Sequence, residues 1–598
     1  MDVQNVLKQA ISNALVKLDL QKIDQIEFSH PVYEQHGDYA VNIAMTIFAK
    51  SLPCRQAGKI QNVKSPREVA RVIVENLQKN EDLKKIVSKI EIAGPGFINF
   101  WLSEEYLITS LIHIIEVKKG IGKFDSYKDK KVMVEYTDPN PFKEFHIGHL
   151  FSNIVGESLA RLFEASGAIV KRACYQGDVG MHVAKAVWGM KKKLASERLT
   201  LDKLAEKPLI ERQHFLGQSY ALGAKAYEEN EELKKEIEQL NKKIYELNAD
   251  IKELYETGRK WSLEYFETIY KRLGTKFDYY YFEREAGERG LAFIKENLKK
   301  GVFSKSEGAV VFEGKKYGLH TRVFINKLGL PTYEVKDLGL APTKYEDFPY
   351  DLSFIVTGNE VNEYFKVVFK ALELINPDLV KKTKHVGHGM VRLPSGKMSS
   401  RTGNVLTGEW LLDETKHNMI AYIKESDKIQ ESDKGYVAEI TTIGAVKYSL
   451  LKSGIGKDTI FDFKESLSFE GNSGPYLQYT YARARSVLRK SKIQNPKLQI
   501  NPKSKIQSSK LTPEEFAILR TLHRFPEVVL EAGKNLAPNV ICTYLFDLAQ
   551  KFNLFYQKIP ILNTKEEERN FRLQLTKATS QVIKNGLHLL GIGVLEKM

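Results

Sequence analysis

Residues 132–163 read VMVEYTDPNPFKEFHIGHLFSNIVGESLARLF, and this stretch decides the fold class. Val132-Met133-Val134-Glu135-Tyr136 is an apolar run of strand length and reads as a buried strand. Thr137 to Phe145 carries Pro139 and Pro141 and reads as a loop. From His146 the apolar period changes. Leu150, Phe151, Ile154, Val155, Leu159, Leu162 and Phe163 fall on one face of a helix that ends near Gly167. Ile169 to Tyr175 is a second apolar strand. Strand, helix and strand in about 45 residues form a βαβ unit, which implies a parallel sheet with right-handed crossovers. The turn His146-Ile147-Gly148-His149 joins the first strand to the helix. A helix N-terminus offers free N–H groups and the positive end of the dipole, so this turn suits phosphate. Gly148 permits close approach of a nucleotide, and two imidazoles can meet charge that builds up on phosphate oxygens.

Before this stretch, residues 1–118 read as a small mixed α/β unit. A helix over Val3 to Leu18 is followed by short strands, including Ile90 to Ala93 and Phe97 to Trp101 around Gly94-Pro95-Gly96. Lys118 to Lys131 reads as a linker. After it, residues 191–275 form a charged helical block. Leu233, Ile237, Leu240, Ile244, Leu247, Ile251 and Leu254 recur as a heptad seam. The seam fits a dimer contact or a helical hairpin packed on its own domain, and its shortness favours the hairpin. Strand-like runs return at Gly308 to Phe312, Leu352 to Thr357 and Lys384 to Gly387. From about residue 415 the pattern is mainly helical, broken by a basic, proline-containing stretch over 491–510.

The chain has 598 residues, enough for roughly four units and too many for one hydrophobic core. Lys plus Arg number 90 against 75 Asp plus Glu, a formal charge of +15 that fits a polyanionic partner or a lysine-rich surface equally. Cys54, Cys174 and Cys542 form no CxxC pair, which argues against a disulfide framework or zinc knuckle and fits a reducing, cytosolic compartment. The N-terminus alternates apolar and polar residues at helical spacing, unlike a signal peptide, and no run reaches membrane-spanning length.

A second loop, Lys397-Met398-Ser399-Ser400-Arg401, follows Leu393-Pro394-Ser395-Gly396. It is basic, hydroxyl-bearing and glycine-flanked, as a triphosphate requires, although an ordinary surface loop has the same composition. In this order the two elements resemble the HIGH and KMSKS elements of class I aminoacyl-tRNA synthetases. Val134 to Lys143, Tyr175-Gln176-Gly177-Asp178-Val179-Gly180, Tyr333 to Gly339 and Pro475 to Ser486 are similar to segments of the arginyl-tRNA synthetase family. The C-terminal Leu590-Gly591-Ile592 and Glu596-Lys597-Met598 look like that family's usual ending.

The resemblance implies a Rossmann-like parallel-sheet catalytic domain in an α/β chain, with a helical insertion. It adds a small α/β N-terminal domain and an all-α C-terminal anticodon-binding domain. The implied boundaries are 1–118 for the N-terminal tRNA-contact domain, 119–190 and 276–415 for the halves of the catalytic domain, and 191–275 for the insertion. A connective region takes 416–470 and the anticodon-binding domain 471–598. The implied partners are L-arginine, ATP with Mg2+ on its phosphates, and tRNA(Arg), in a cytoplasmic monomer with no resident metal.

Residue by residue, the resemblance assigns His146 and His149 to the ATP phosphates. Gly148, His388, Gly389, Met390, Val391, Ser399, Ser400 and Arg401 line the nucleotide. The motif has a second lysine where this chain has Ser400. The resemblance implies that Lys143 supplies that charge, with Lys397 and Arg401 as further candidates; a solvated loop lysine is the competing reading of Lys143. A guanidinium calls for carboxylates that grip it in bidentate fashion. Tyr333 and Asp337, four apart, would share one helical face. Glu135, Asn140 and Glu360 match or lie near the family's amino-acid contacts, with a solvated acid as the alternative for Glu360. Phe97 and Asn99 match positions that read an unpaired outer-corner base, against a core role for Phe97. Tyr481, Arg485, Arg489 and Lys490 fit an anticodon-facing helix or an ordinary exposed one.

Other readings are less well supported. A cysteinyl relative would carry zinc-ligating cysteines, and isoleucyl or valyl relatives a longer editing insertion. A small nucleotidylyltransferase would be one compact domain, and a non-catalytic RNA-binding module would not need both phosphate elements. Gly454-Ile455-Gly456-Lys457-Asp458 lacks the first Gly and the trailing hydroxyl of a P-loop.

Overall fold

The computed structural model describes residues 3–18, 26–51, 63–394, 406–424, 429–494 and 511–598. By contact the chain groups into two units. One holds Met1–Ile121, Val487–Phe525 and Gln550–Val582; the other holds Gly122–Ser486, Pro526–Ala549 and Ile583–Met598. The C-terminal helical block therefore contributes residues to both.

The first unit carries a four-stranded antiparallel sheet in the order β1 (Phe28–Ser29), β2 (Tyr39–Val41), β4 (Phe97–Leu102), β3 (Val87–Ala93). The β3–β4 hairpin turns at Gly94 and Gly96, both at positive φ. Asp38, just before β2, is buried. Its Oδ2 accepts from Leu102 N at 2.8 Å and its Oδ1 from Arg520 Nε at 2.5 Å. Arg520 also donates to Gly37 O at 2.8 Å. His523 contacts the Tyr39 hydroxyl at 3.1 Å and Ser110 Oγ at 3.2 Å. The His36–Tyr39 segment is thus anchored to a helix almost 500 residues later in the chain, Pro513–Lys534.

The second unit is built on five parallel strands: β5 (Lys131–Tyr136), β6 (Ile169–Gln176), β7 (Tyr279–Phe282), β11 (Leu352–Gly358) and β12 (Thr383–His388), in the order β12-β11-β5-β6-β7. Residues 132–136 are all buried, as expected of a central parallel strand covered on both faces. From β5 the chain proceeds outward through β6 to β7, then returns to β11 on the other side of β5. The order therefore switches between β5 and β11, and the crevice beyond their C-terminal ends is where such sheets bind ligands.

Two insertions interrupt the parallel sheet. Between β6 and β7, the seam from Leu233 to Leu254 is two helices. Glu231–Tyr245 ends, Leu247 takes φ 46°, and Asn248 caps Ala249–Leu273. Ile237, Ile244 and Ile251 are buried with Phe215 and Trp261 of the same insertion and with Val183 and Val187 of the helix Met181–Ser196 that leads into it. The apolar repeat serves an intrachain core. Between β7 and β11, Ala309–Phe312 (β9) lies outside the parallel sheet. It pairs antiparallel with β8 (Ser304–Ser306) and β10 (Arg322–Ile325). The cause is the two-residue turn Glu307-Gly308, where both residues have positive φ and force a hairpin. After β12, β13 (Val391–Arg392) pairs with β14 (Thr459–Ile460), and the long helices Gly408–Lys424 and Glu431–Leu451 follow β13. Among the described residues no helix is long and apolar enough to cross a membrane.

Candidate active site

His146 caps the helix Ile147–Ala165 at the switch point. Its Nδ1 accepts from His149 N at 3.3 Å, and His149 Nδ1 accepts from His146 N at 3.3 Å. The rings stack with centroids 3.4 Å apart. Burial, reinforced by the charge of Lys143, lowers the His146 pKa to about 4. Burial, then His146 and Lys143, holds His149 well below its ordinary value. Both rings are neutral near pH 7. Because each Nδ1 accepts, each proton resides on Nε2, so the turn presents two neutral N–H donors. A Cβ at Gly148 would lie 3.0 Å from the His146 ring, so a larger residue would displace it. Lys143 has its Nζ 5.1 Å from the centroid of the Tyr220 ring and forms no ion pair among the described residues. Burial lowers its pKa.

The loop between β5 and this turn is strained and heavily braced. Thr137, Asp138 and Phe142 have φ of 81°, 45° and 68°, values that residues with a Cβ rarely adopt. Thr137 N donates to Ser152 Oγ at 2.9 Å, and that hydroxyl donates to Val356 O of β11 at 2.7 Å. Asn153 Nδ2 donates to Thr137 Oγ1 at 2.9 Å, and Asn153 Oδ1 accepts from Thr275 Oγ1 at 2.9 Å. Phe142 N donates to Ser262 Oγ at 2.9 Å. The second turn of the helix thus fixes the backbone that leads into its own first turn.

Beside this loop lies a buried acidic pocket. Asp337 stands one turn into the helix Tyr333–Asp347 and accepts from the Tyr364 hydroxyl at 2.5 Å. Burial pushes its pKa up to about 7; the Tyr364 hydrogen bond opposes the rise, and Glu135 and Glu283 add to it. Asp138 Oδ1 accepts from Tyr175 N at 2.8 Å, and burial followed by the nearby Glu135 raises its pKa. Glu135 is paired with Lys344 at 2.5 Å, and Glu283 with Lys336 at 2.5 Å. Asp337 and Asp138 have no ion pair among the described residues. The pocket therefore holds two carboxyl groups without a cationic partner among the described residues, which a cationic guest would favour in their ionised form. The Tyr175 hydroxyl is buried without a hydrogen-bond partner, and Asn140 and Glu283 both press against Gly177.

The sequence brings Asn140, Tyr333 and Asp337 to this place. Tyr333 is 56% exposed at its rim, with Lys336 Nζ 4.7 Å from its ring centroid. Glu135 differs from the expectation: Lys344 neutralises it, so it is no open guanidinium clamp. Asp138, Lys344, Glu283, Lys336, Tyr364 and Tyr175 were missed. Asp138, Tyr175 and Lys336 had a local signal, since each lies in a segment similar to the family; Lys344, Glu283 and Tyr364 had none.

Glu360 is exposed in the turn after β11, its carboxylate folded over Gly358. His388 is 4% exposed, rests on Phe151 and donates through Nδ1 to Gly389 O at 2.7 Å. Gly389 N donates to Ile455 O and Met390 N to Asp458 Oδ1. The His388–Val391 segment thus spends two of its amides on the chain, and Val391 is buried while Met390 is exposed. Lys397, Ser399, Ser400 and Arg401 lie outside the described residues. The chain re-emerges at Leu406, whose O accepts from Ile147 N at 3.2 Å, and Gly408 N donates to Phe145 O at 2.7 Å. Leu406 and Gly408 therefore lie beside the His146 turn.

The RNA-facing expectations are corrected in part. Phe97 is 37% exposed, which excludes the core reading. Asn99 is 5% exposed with an unpartnered Oδ1, so it reads no base edge as it stands. Tyr481 is 2% exposed and donates to Glu596 at 2.7 Å; packing of its helix against the C-terminal segment removes it from the surface. Arg485 pairs with the same Glu596 at 2.8 Å, and Arg489 is half-buried.

Family models match three regions: an arginyl-tRNA synthetase N-terminal domain over residues 5–102, a class I tRNA synthetase (R) catalytic domain over 111–463, and a DALR anticodon binding domain over 477–598. The chain is 33% identical to the arginine–tRNA ligase of Treponema denticola, covering 96% of this chain and 95% of that one. It is 32% identical to the arginine–tRNA ligase of Clostridium acetobutylicum over the whole of both. In fold it is similar to the Thermus thermophilus arginyl-tRNA synthetase, with TM-score 0.78, 24% identity and full coverage of both chains. The Plasmodium falciparum enzyme gives TM-score 0.77 at 22% identity, covering 100% of this chain and 99% of that one.

Proposed function

Since the chain belongs to the arginyl-tRNA synthetase family of class I synthetases, we propose how its own residues divide that family's reaction. The enzyme activates L-arginine with ATP, releases pyrophosphate, and transfers the arginyl group to the 3′-terminal adenosine of tRNA(Arg). The carboxylate of arginine attacks the α-phosphorus in line, and a ribose hydroxyl then attacks the adenylate. Neither step needs a covalent enzyme intermediate, so rate comes from positioning and charge. Magnesium enters with the ATP phosphates as part of that substrate.

His146 and His149 donate through Nε2 to phosphate oxygens. Neutral imidazoles gain as negative charge develops, and the helix N-terminus adds its amides. Lys143 and Lys397 carry the positive charge, with Lys143 in place of the lysine that Ser400 lacks. Gly148, His388, Gly389, Met390, Val391, Ser399, Ser400 and Arg401 surround the nucleotide. Asp337 and Asp138 receive the guanidinium, while Asn140, Tyr333 and the Tyr175 hydroxyl shape the seat. Glu135 acts through Lys344, and Glu360 closes the rim. Residues 1–118 contact tRNA with Phe97 exposed for an unpaired base; Asn99 supports it. Residues 471–598 hold the anticodon, with Arg485 and Arg489 near it and Tyr481 bracing them. Between lie the catalytic halves 119–190 and 276–415, the insertion 191–275 and the connective region 416–470. The enzyme works as a cytoplasmic monomer.

The observation that carries this reading is the pair of stacked imidazoles on the helix N-terminus together with a pocket whose Asp337 and Asp138 have no cationic partner among the described residues. Arginine-dependent pyrophosphate exchange, run with and without tRNA, tests it. Exchange supported by a different amino acid would sink it.

A further inference from the structure

We propose that Ser158, Arg161 and Lys447 are positioning residues through which the end of the anticodon-binding region holds the His146 helix in place; this rests on the function proposed above. The last helix, Glu566–Leu589, must satisfy its final carbonyls. Gly591 at φ 68° closes it: Gly591 N donates to His588 O at 3.0 Å and Ile592 N to Leu587 O at 2.8 Å. The rest is done from the catalytic side. Ser158 Oγ, fully buried on the His146 helix, donates to Leu589 O at 3.0 Å. One turn on, Arg161 donates to His588 O at 3.0 Å. Lys447 Nζ, also buried, donates to Gly591 O at 2.7 Å and to Leu273 O at 2.6 Å, at the end of the helix that completes the insertion. Arg161 thus stands as a cation at the negative end of the last helix, where it stabilises it, and Lys447, whose pKa burial lowers to about 7, adds a buried donor there.

On its other side Arg161 is fixed to the catalytic core. Its Nε donates to Glu157 Oε1 at 2.7 Å, and Glu157 Oε2 accepts from the Tyr136 hydroxyl at 2.6 Å and from Arg172 Nε at 2.9 Å. Tyr136 ends β5, immediately before the strained loop. The same helix that caps the C-terminal region therefore carries His146 and His149 at its other end, ~20 Å away at 1.5 Å per residue. A helix transmits displacement along its length as a rigid rod, so a shift of the C-terminal carbonyls moves the phosphate turn. None of the three side chains reaches a substrate; their effect passes through the helix.

Ser158→Ala and Arg161→Gln test this, with Arg161→Lys as the conservative variant. Expected are a kcat for tRNA charging lowered about tenfold by Ser158→Ala and more by Arg161→Gln, and a Kd for tRNA(Arg) within twofold of wild type. Melting temperature should fall for Ser158→Ala, because the Leu589 carbonyl loses its buried donor, but the variant should stay fully folded at the assay temperature, and Arg161→Lys should recover most of the rate. Unchanged kcat in the Ser158 variant, or a loss that follows tRNA affinity or unfolding, overturns the proposal. Wild-type chain that charges no arginine instead overturns the function on which it rests.

Discussion

Lys143 is a cation made uncomfortable by burial, with no carboxylate to relieve it among the described residues. A group so placed is stabilised when a phosphate arrives, and most when that phosphate gains charge. Lys143→Ala should slow adenylate formation by ~10²-fold or more, the scale for losing one preorganised contact to developing charge. Its Kd for tRNA should hardly move; rapid-quench activation and filter binding separate the two. Asp337 gives a second prediction, with a sign. Its pKa of about 7 in the folded chain, against 3.8, means the empty pocket is protonated below neutrality. Arginine stays cationic and needs the carboxylate, so its KM should fall as pH rises through 7. For stability the sign is opposite: the folded chain binds the extra proton, so stability declines from about pH 4 to about pH 7 and is level above. Asp337→Asn should raise the arginine KM at least tenfold, leave the ATP KM near its value, and flatten both profiles. At this scale the sequence was legible where the family resemblance named a group and helical spacing placed it, as for Tyr333 and Asp337. It was silent on Lys344, because its partner Glu135 lies 209 residues away and only the fold joins them.

Among elements, the strand and helix around His146 were legible because their apolar periods differ sharply. The bracing of the loop between them was not. Ser152 and Asn153 look like ordinary polar positions on an amphipathic helix, yet both are buried and both hold Thr137. Removing the Ser152 hydroxyl takes the partner from the buried N–H of Thr137 and one donor from the carbonyl of Val356. Ser152→Ala should cost ~1–3 kcal/mol in stability, read as a shift in denaturant midpoint. It should also lower kcat, because the loop it frees is strained and will relax away from its active shape. A variant with lost stability but wild-type kcat would show that the loop is held adequately without it. The heptad seam was legible as well: its shortness favoured a hairpin packed on its own domain, and the structure has that hairpin. Its spacing was regular, but one residue at φ 46° divided the helix while leaving the apolar faces on the same core.

At the scale of the whole molecule, the formal charge of +15 hinted at a polyanion without locating it. Domain boundaries drawn along the chain treat 1–118 and 471–598 as separate, because composition changes only locally. Contacts between distant residues bring Val487–Phe525 and Gln550–Val582 into one unit with Met1–Ile121. One buried bond within this unit is Arg520 on Asp38, whose side chains are 10% and 7% exposed. Both were in plain view in the sequence, but nothing in spacing connects residues 482 apart. Deleting one partner of a buried pair leaves the other charge stranded, at a cost of ~3–5 kcal/mol. Arg520→Ala should therefore loosen β2 and β4 locally. The amide of Leu102, held by Asp38 Oδ2, should exchange with deuterium at least tenfold faster, together with its neighbours in the sheet. Amides of β5 should exchange as in wild type, since that strand belongs to the other unit. Acceleration of both sets alike would mean that the pair supports the whole chain, and unchanged Leu102 would mean that the N-terminal sheet holds itself without the helix.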